Sequence, residues 1–95
     1  MARRYRVVGS NAFEREVRRL RTRLRHVYKA LLGAVELLET DPFDLEGRGN
    51  IRKLVDVPAG EGQFRLRIGD YRLRCDVMGD NVIMHSMRPR GKSYC

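Results

Sequence analysis

The chain has 95 residues, 20 Lys or Arg against 12 Asp or Glu, and a formal net charge of +8 at pH 7. That length makes one domain, residues 1–95, with a small core and no second one, and the charge points to an acidic partner, nucleic acid first. No apolar run approaches the roughly 18 residues of a membrane span and no tripartite start marks a signal peptide, so a cytoplasmic protein without a membrane partner is expected.

The charge is unevenly spread. Residues 1–30 hold 10 bases and 2 acids, residues 31–62 hold 3 and 7, and residues 63–95 hold 7 and 3, so two basic ends flank an acidic middle. Cys75 falls on the apolar side of a predicted strand and Cys95 is the last residue, which argues against a structural disulfide. Neither cysteine has the spacing of a zinc site, and no metal or cofactor signature is present.

Tyr5-Arg6-Val7-Val8 reads as a short strand closed by Gly9-Ser10. Asn11 followed three residues later by Glu14 has the spacing of a capping box, and Phe13, Val17, Leu20 and Leu24 then recur at helical intervals. The apolar series continues to Leu38. One helix of about 28 residues would be about 42 Å long, too long for a small domain, so a helical hairpin broken near Arg21-Thr22 is expected. Its first helix carries Arg15, Arg18, Arg19, Arg21, Arg23 and Arg25 on the polar side, which reads as a solvated surface, a nucleic-acid contact or a dock for an acidic segment. Thr40-Asp41-Pro42 ends the second helix, and residues 41–50 read as an acidic loop.

Ile51 to Val55 is the next strand candidate, followed by a turn over Pro58–Gly62. From Phe64 to Val77 apolar and polar residues alternate on both sides of Gly69-Asp70, the signature of a β-hairpin. Phe64, Leu66, Ile68, Tyr71, Leu73, Cys75 and Val77 share one face, and Arg65, Arg67, Arg72 and Arg74 share the other, with Asp76 as its one acid. Four guanidiniums on one side of a hairpin repel each other, and arginine pairs bidentately with phosphate, so this is a phosphate-binding face or a solvated outer face. After Gly79-Asp80-Asn81, Val82 to Met87 forms a last strand that pairs back on the hairpin. His85 shares a parity with Ile83 and Met87 and reads as a packed or edge histidine, whereas His26 belongs on the helix surface or at a helix boundary. Asp70 serves the turn and Tyr71 packs. The fold expected is α+β, an N-terminal strand, a helical hairpin and an antiparallel meander, with Leu20, Leu31, Val35 and Leu38 packed on Phe64, Leu66, Tyr71 and Leu73.

Lys53-Leu54, then Phe64-Arg65-Leu66-Arg67, then Gly69-Asp70-Tyr71-Arg72, then Arg90 four residues before Tyr94, in this order, resembles the RelE/ParE toxin family. The resemblance covers the whole chain by element order and about 45 residues by motif. It implies the two-layer fold of that family and a ribosome-dependent, metal-independent mRNA endonuclease, the toxin of a type II toxin–antitoxin pair that cuts at the A-site codon. It places the catalytic roles of RelE-like members on Arg65, Arg67, Arg72, Arg88 and Tyr94, with Arg74, Arg90, Lys92 and Lys53 as further RNA or phosphate contacts. The implied partners are a cognate antitoxin, in a toxin–antitoxin hetero-oligomer, and the ribosome with its mRNA. Where many members have Gly-His-Arg this chain has Arg88-Pro89-Arg90, so the usual histidine is missing. A ParE-like gyrase inhibitor that cuts no RNA, and a degenerate member that only binds antitoxin or nucleic acid, are the alternatives. Against the gyrase reading stands the completeness of the five-residue set, which a gyrase binder has no need to keep together.

Overall fold

The structure of the protein, a computed structural model, describes residues 4–44 and 51–89. Strand β1 (Arg6–Gly9) leads into helices α1 (Asn11–Arg23) and α2 (Arg25–Thr40), and then come β2 (Ile51–Lys53), β3 (Phe64–Ile68), β4 (Tyr71–Met78) and β5 (Asn81–Pro89). The strands lie in the order β1-β5-β4-β3-β2. From β2 to β5 they form the expected antiparallel meander, and β1 joins it beside β5 in parallel, Val7 opposite Val82. A parallel partner is open to β1 because the whole helical hairpin and three strands separate it from β5 in the chain.

Helix α1 begins at Asn11, but its cap is Ser10, whose hydroxyl accepts the Phe13 N–H at 3.1 Å. The expected Asn11–Glu14 capping box is therefore corrected by one residue. Ser10 is held in extended backbone, and its own N–H bonds the Met84 carbonyl of β5 at 2.9 Å, so the serine both ends the sheet contact and starts the helix. The helical hairpin is present, broken at Leu24 rather than at Arg21-Thr22. No glycine or proline marks that position. Leu24 keeps its N–H on the Leu20 carbonyl while its own carbonyl accepts from Val27 and Tyr28, and its side chain packs on the core. Burial of a leucine at the corner thus replaces a polar cap. Unbroken, the two helices would run to about 45 Å, longer than the molecule's greatest extent of 38 Å.

Both helices lay their apolar stripes on one face of the sheet. Phe13 and Leu20 from α1 and Val27, Leu31 and Leu38 from α2 form one core with Phe64, Leu66, Ile68, Leu73, Cys75, Val82, Met84 and Met87. Val35 and Tyr71 are partly buried against it, as the periodicity implied. Pro42 is buried and closes the end of α2 as expected. Phe43 then stacks edge-on against Tyr5 and Phe64, at 6.4 and 5.6 Å between ring centres. The rest of the predicted acidic loop, residues 45–50, lies outside the described residues.

The second strand is shorter than expected, since Val55 is 84% exposed and Asp56 adopts a positive φ of 63°. A larger correction concerns the last strand. Arg74 pairs with Ser86 but Cys75 pairs with Met84, so β5 carries one extra residue, His85, in a bulge. Beyond it the parity reverses, and Met87 turns inward with Met84 instead of sharing a face with His85.

Candidate functional site

On the face away from the helices, register stacks arginines in rows. Arg52 lies opposite Arg65, and Arg65 opposite Arg74; one pair along, Arg67 lies opposite Arg72 and Arg72 opposite Arg88. Directly opposed residues have α-carbons about 4.5–5.5 Å apart, and like charges so placed destabilise a sheet by on the order of 0.2–1 kcal/mol per pair. No carboxylate among the described residues pairs with Arg52, Arg65, Arg67 or Arg88. The repulsion is stored in the fold, and a phosphate would relieve it.

Four of these side chains, Arg52, Arg65, Arg67 and Arg72, line a cleft of about 210 Å³. Of the five residues given catalytic roles, the structure gathers Arg65, Arg67 and Arg72 here. Arg88 follows Arg72 in the same row but lines a second groove, of about 620 Å³, between α1 and the ends of β4 and β5, with Glu16 also on its wall. Leu20, Leu24, Tyr71 and Met87 form its floor, with Arg19 and Arg23 of the basic helix beside them. Tyr94, Arg90 and Lys92 lie outside the described residues, as does Cys95. Arg15, Arg18, Arg21 and Arg25 are exposed, and His26 is exposed at the start of α2 as expected.

Two of the further contacts are placed differently. Lys53 pairs with Phe64, which puts it on the helix-side face, whereas its neighbour Arg52 occupies the arginine face. Parity with the apolar Ile51 carries that signal in the sequence. Arg74 is on the arginine face, but its Nε donates to the Gly62 carbonyl at 2.9 Å and its Nη2 to the Glu61 carbonyl at 3.2 Å. Much of its donor capacity is therefore spent on holding the β2–β3 connection rather than facing the cleft.

Asp76 behaves unlike a surface acid balancing the arginines. It is 1% exposed, covered by the β2–β3 connection, with Oδ2 accepting the Gly62 N–H and Oδ1 the Gln63 N–H, both at 2.9 Å. His85 Nε2 meets Oδ2 at 2.5 Å. Burial pushes the Asp76 carboxyl up, but the N–H groups of Gln63 and Gly62, the His85 ring and the Gly60 N–H together hold it below its ordinary range. Beside it, burial and then the charge of Asp76 push the Cys75 thiol up to about 12, so it stays protonated and packs as a small apolar side chain. Sequence reasoning missed the Asp76–His85 pair because the connection that buries Asp76 against His85 leaves no local signal.

No protein-family model matches the sequence, and no curated relative matches it. Solved structures do. A chain of the archaeal RelE–RelB complex from Pyrococcus horikoshii OT3 aligns with a TM-score of 0.72 at 24% identity, over 93% of this chain and 97% of that one. The YoeB dimer from Staphylococcus aureus aligns at 0.71 and 20%, over 90% and 95%. The RelB–RelE antitoxin–toxin complex from Methanococcus jannaschii gives 0.67 and 22%, over 92% and 94%. With alignment over nearly their full lengths, the strand, helical hairpin and meander of this chain make a RelE-like α+β fold.

Proposed function

We propose that this protein is the toxin of a type II toxin–antitoxin pair and that it cuts mRNA at the codon in the ribosomal A site. The observation that carries the reading is the cleft of Arg52, Arg65, Arg67 and Arg72, a concentration of guanidinium groups on the sheet of a RelE-like fold. Cleavage proceeds by attack of a ribose 2′-oxygen on the adjacent phosphorus. The 2′-hydroxyl loses its proton, the bond to the 5′-oxygen breaks, and that oxygen takes up a proton as it leaves with the downstream strand, so the upstream strand ends in a cyclic phosphate.

Arginines suit the charge that develops on the phosphoryl oxygens, because they hold their protons and present paired donors. They are poor proton-transfer groups for the same reason, with pKa values above about 12. Tyr94, which the family resemblance sets among the catalytic residues, starts near pKa 10 and is the best candidate base, since adjacent guanidiniums would favour its phenolate. The leaving 5′-oxygen then needs an acid that the arginines supply badly, and a group on the ribosome is the natural source. This accounts for a toxin that acts only on translating ribosomes.

The antitoxin is read as a protein whose acidic, extended segment covers the arginine face and orders on binding; two of the similar structures are, by name, complexes of a RelE with a RelB. The test is expression in a growing bacterium. The parent should arrest growth, co-expression of the adjacent gene should relieve it, and Arg72→Ala and Arg88→Ala should each abolish the arrest while melting within a few degrees of the parent. Full toxicity in either variant would sink the site assignment, and no relief by the neighbour would sink the antitoxin.

A further inference from the structure

The arginine cleft depends on an edge strand of three residues, Ile51–Lys53, which carries Arg52. So short a strand holds its place only if the chain that follows it is tethered. The tether is polar. Leu54 N–H bonds the Gln63 carbonyl at 2.7 Å, Gln63 Nε2 bonds the Val57 carbonyl at 3.1 Å, and Arg74 clamps the carbonyls of Glu61 and Gly62. All of this converges on Asp76, which accepts the N–H groups of Gly62 and Gln63, one residue short of Phe64 where β3 begins. Gly62 itself has a φ of 86° and sits where an added β-carbon would come within 3.0 Å of the Arg74 β-carbon, so the connection is pressed closely onto β4.

His85 completes the arrangement from the other side. It is the extra residue of the β5 bulge and, alternating with the inward Met84, stands on the outer face, where Nε2 reaches Asp76. The bulge is fastened in turn by Ser10, whose Oγ–H donates to the His85 carbonyl at 3.3 Å and whose N–H donates to the Met84 carbonyl. The bulge leaves His85 without a residue opposite it in β4, and its side chain meets the only described carboxylate buried under the β2–β3 connection.

We propose that Asp76 and His85 are positioning residues of the arginine cleft: they pin the β2–β3 connection to the outer face and so hold Arg52 and Arg65 where a phosphate can meet them. Neither touches RNA. The proposal rests on the reading of the cleft as a phosphate site, and two readouts separate the two ideas. The first needs no RNA. In His85→Ala, amide hydrogen exchange at Gly62 and Gln63 should speed up at least tenfold and the cross-strand nuclear Overhauser contact between Arg52 and Arg65 should weaken. His85→Gln, whose amide can still donate to Asp76, should restore both.

The second is a double-mutant cycle on the affinity of a short single-stranded RNA, read as a function of salt. Losing one phosphate contact lowers the slope of log K against log salt by about 0.7. In the parent, Arg52→Ala should lower the slope by that amount, and in the His85→Ala background it should leave the slope unchanged. A residue that merely stabilised the fold would leave the effect of Arg52→Ala intact at a temperature where all variants are folded. Unaltered exchange at Gly62 and Gln63 in His85→Ala overturns the clamp. An equal effect of Arg52→Ala in both backgrounds overturns its link to the cleft, and a parent without salt-dependent RNA affinity overturns the phosphate reading itself.

Discussion

Asp76 occupies an outer-face position with four arginines in the alternating hairpin, where a carboxylate would ordinarily be a solvated counter-charge. Its hydrogen bonds make it an internal anchor instead, and they have a consequence for pH. Because its folded-state pKa lies below the ordinary value of 3.8, the unfolded chain takes up a proton first as the solution is acidified. The stability contributed by Asp76 is therefore present above about pH 4 and lost as pH falls through the folded-state pKa. Urea unfolding between pH 5 and 2.5 should show this acid loss in the parent, and the loss should be shallower in Asp76→Asn; identical pH slopes would contradict the anchor. Individual residues were legible in the sequence wherever parity was enough. Arg65, Arg67, Arg72 and Arg74 could be assigned to one face, and Cys75 to the other, from alternation alone. The roles of Arg74 and Asp76 were not, because both are fixed by a loop 12 to 14 residues away in sequence.

Among the elements, those with a repeating pattern were read correctly and those decided by packing were not. Phe13, Leu20, Leu31 and Leu38 mark the buried stripe of two helices, and Gly69-Asp70 marks the hairpin, with Gly69 at a φ of 57°. The break at Leu24 carries no punctuation, since an apolar corner residue ends one helix and starts the next through its place in the core. The β5 bulge is equally silent, and reading straight through it misassigned Met87. Helix α2 also contains an unforced weakness. Gly33 lies mid-helix, and a β-carbon there would meet nothing within 4 Å. Gly33→Ala should therefore stabilise the protein by up to about 1 kcal/mol, since it restricts the unfolded chain and favours helix without crowding a neighbour. A shift of the urea midpoint to higher concentration at constant slope would verify this, whereas a lower midpoint would show that the helix surface is covered in a way the fold does not suggest.

At the scale of the molecule, one layer of helices and one sheet divide the labour. The helix-side face of the sheet supplies the core, and the opposite face is left partly to the β2–β3 connection and partly to open arginines. The order of elements and the basic hairpin were enough to expect this fold, because both are written locally in the chain. What the sequence left out was the membership of the cleft: Arg52 enters it through strand register and Arg74 is drawn from it into a loop clamp. The arginine face is proposed to act on ribosome-bound mRNA. That action is tested most directly by adding the purified protein to a translation reaction on a defined mRNA and mapping the ends by primer extension, with and without ribosomes. Cuts at A-site codons that require ribosomes and vanish in Arg67→Ala and Arg72→Ala are the predicted result. Intact mRNA on translating ribosomes, with protein whose circular dichroism shows it folded, would contradict it.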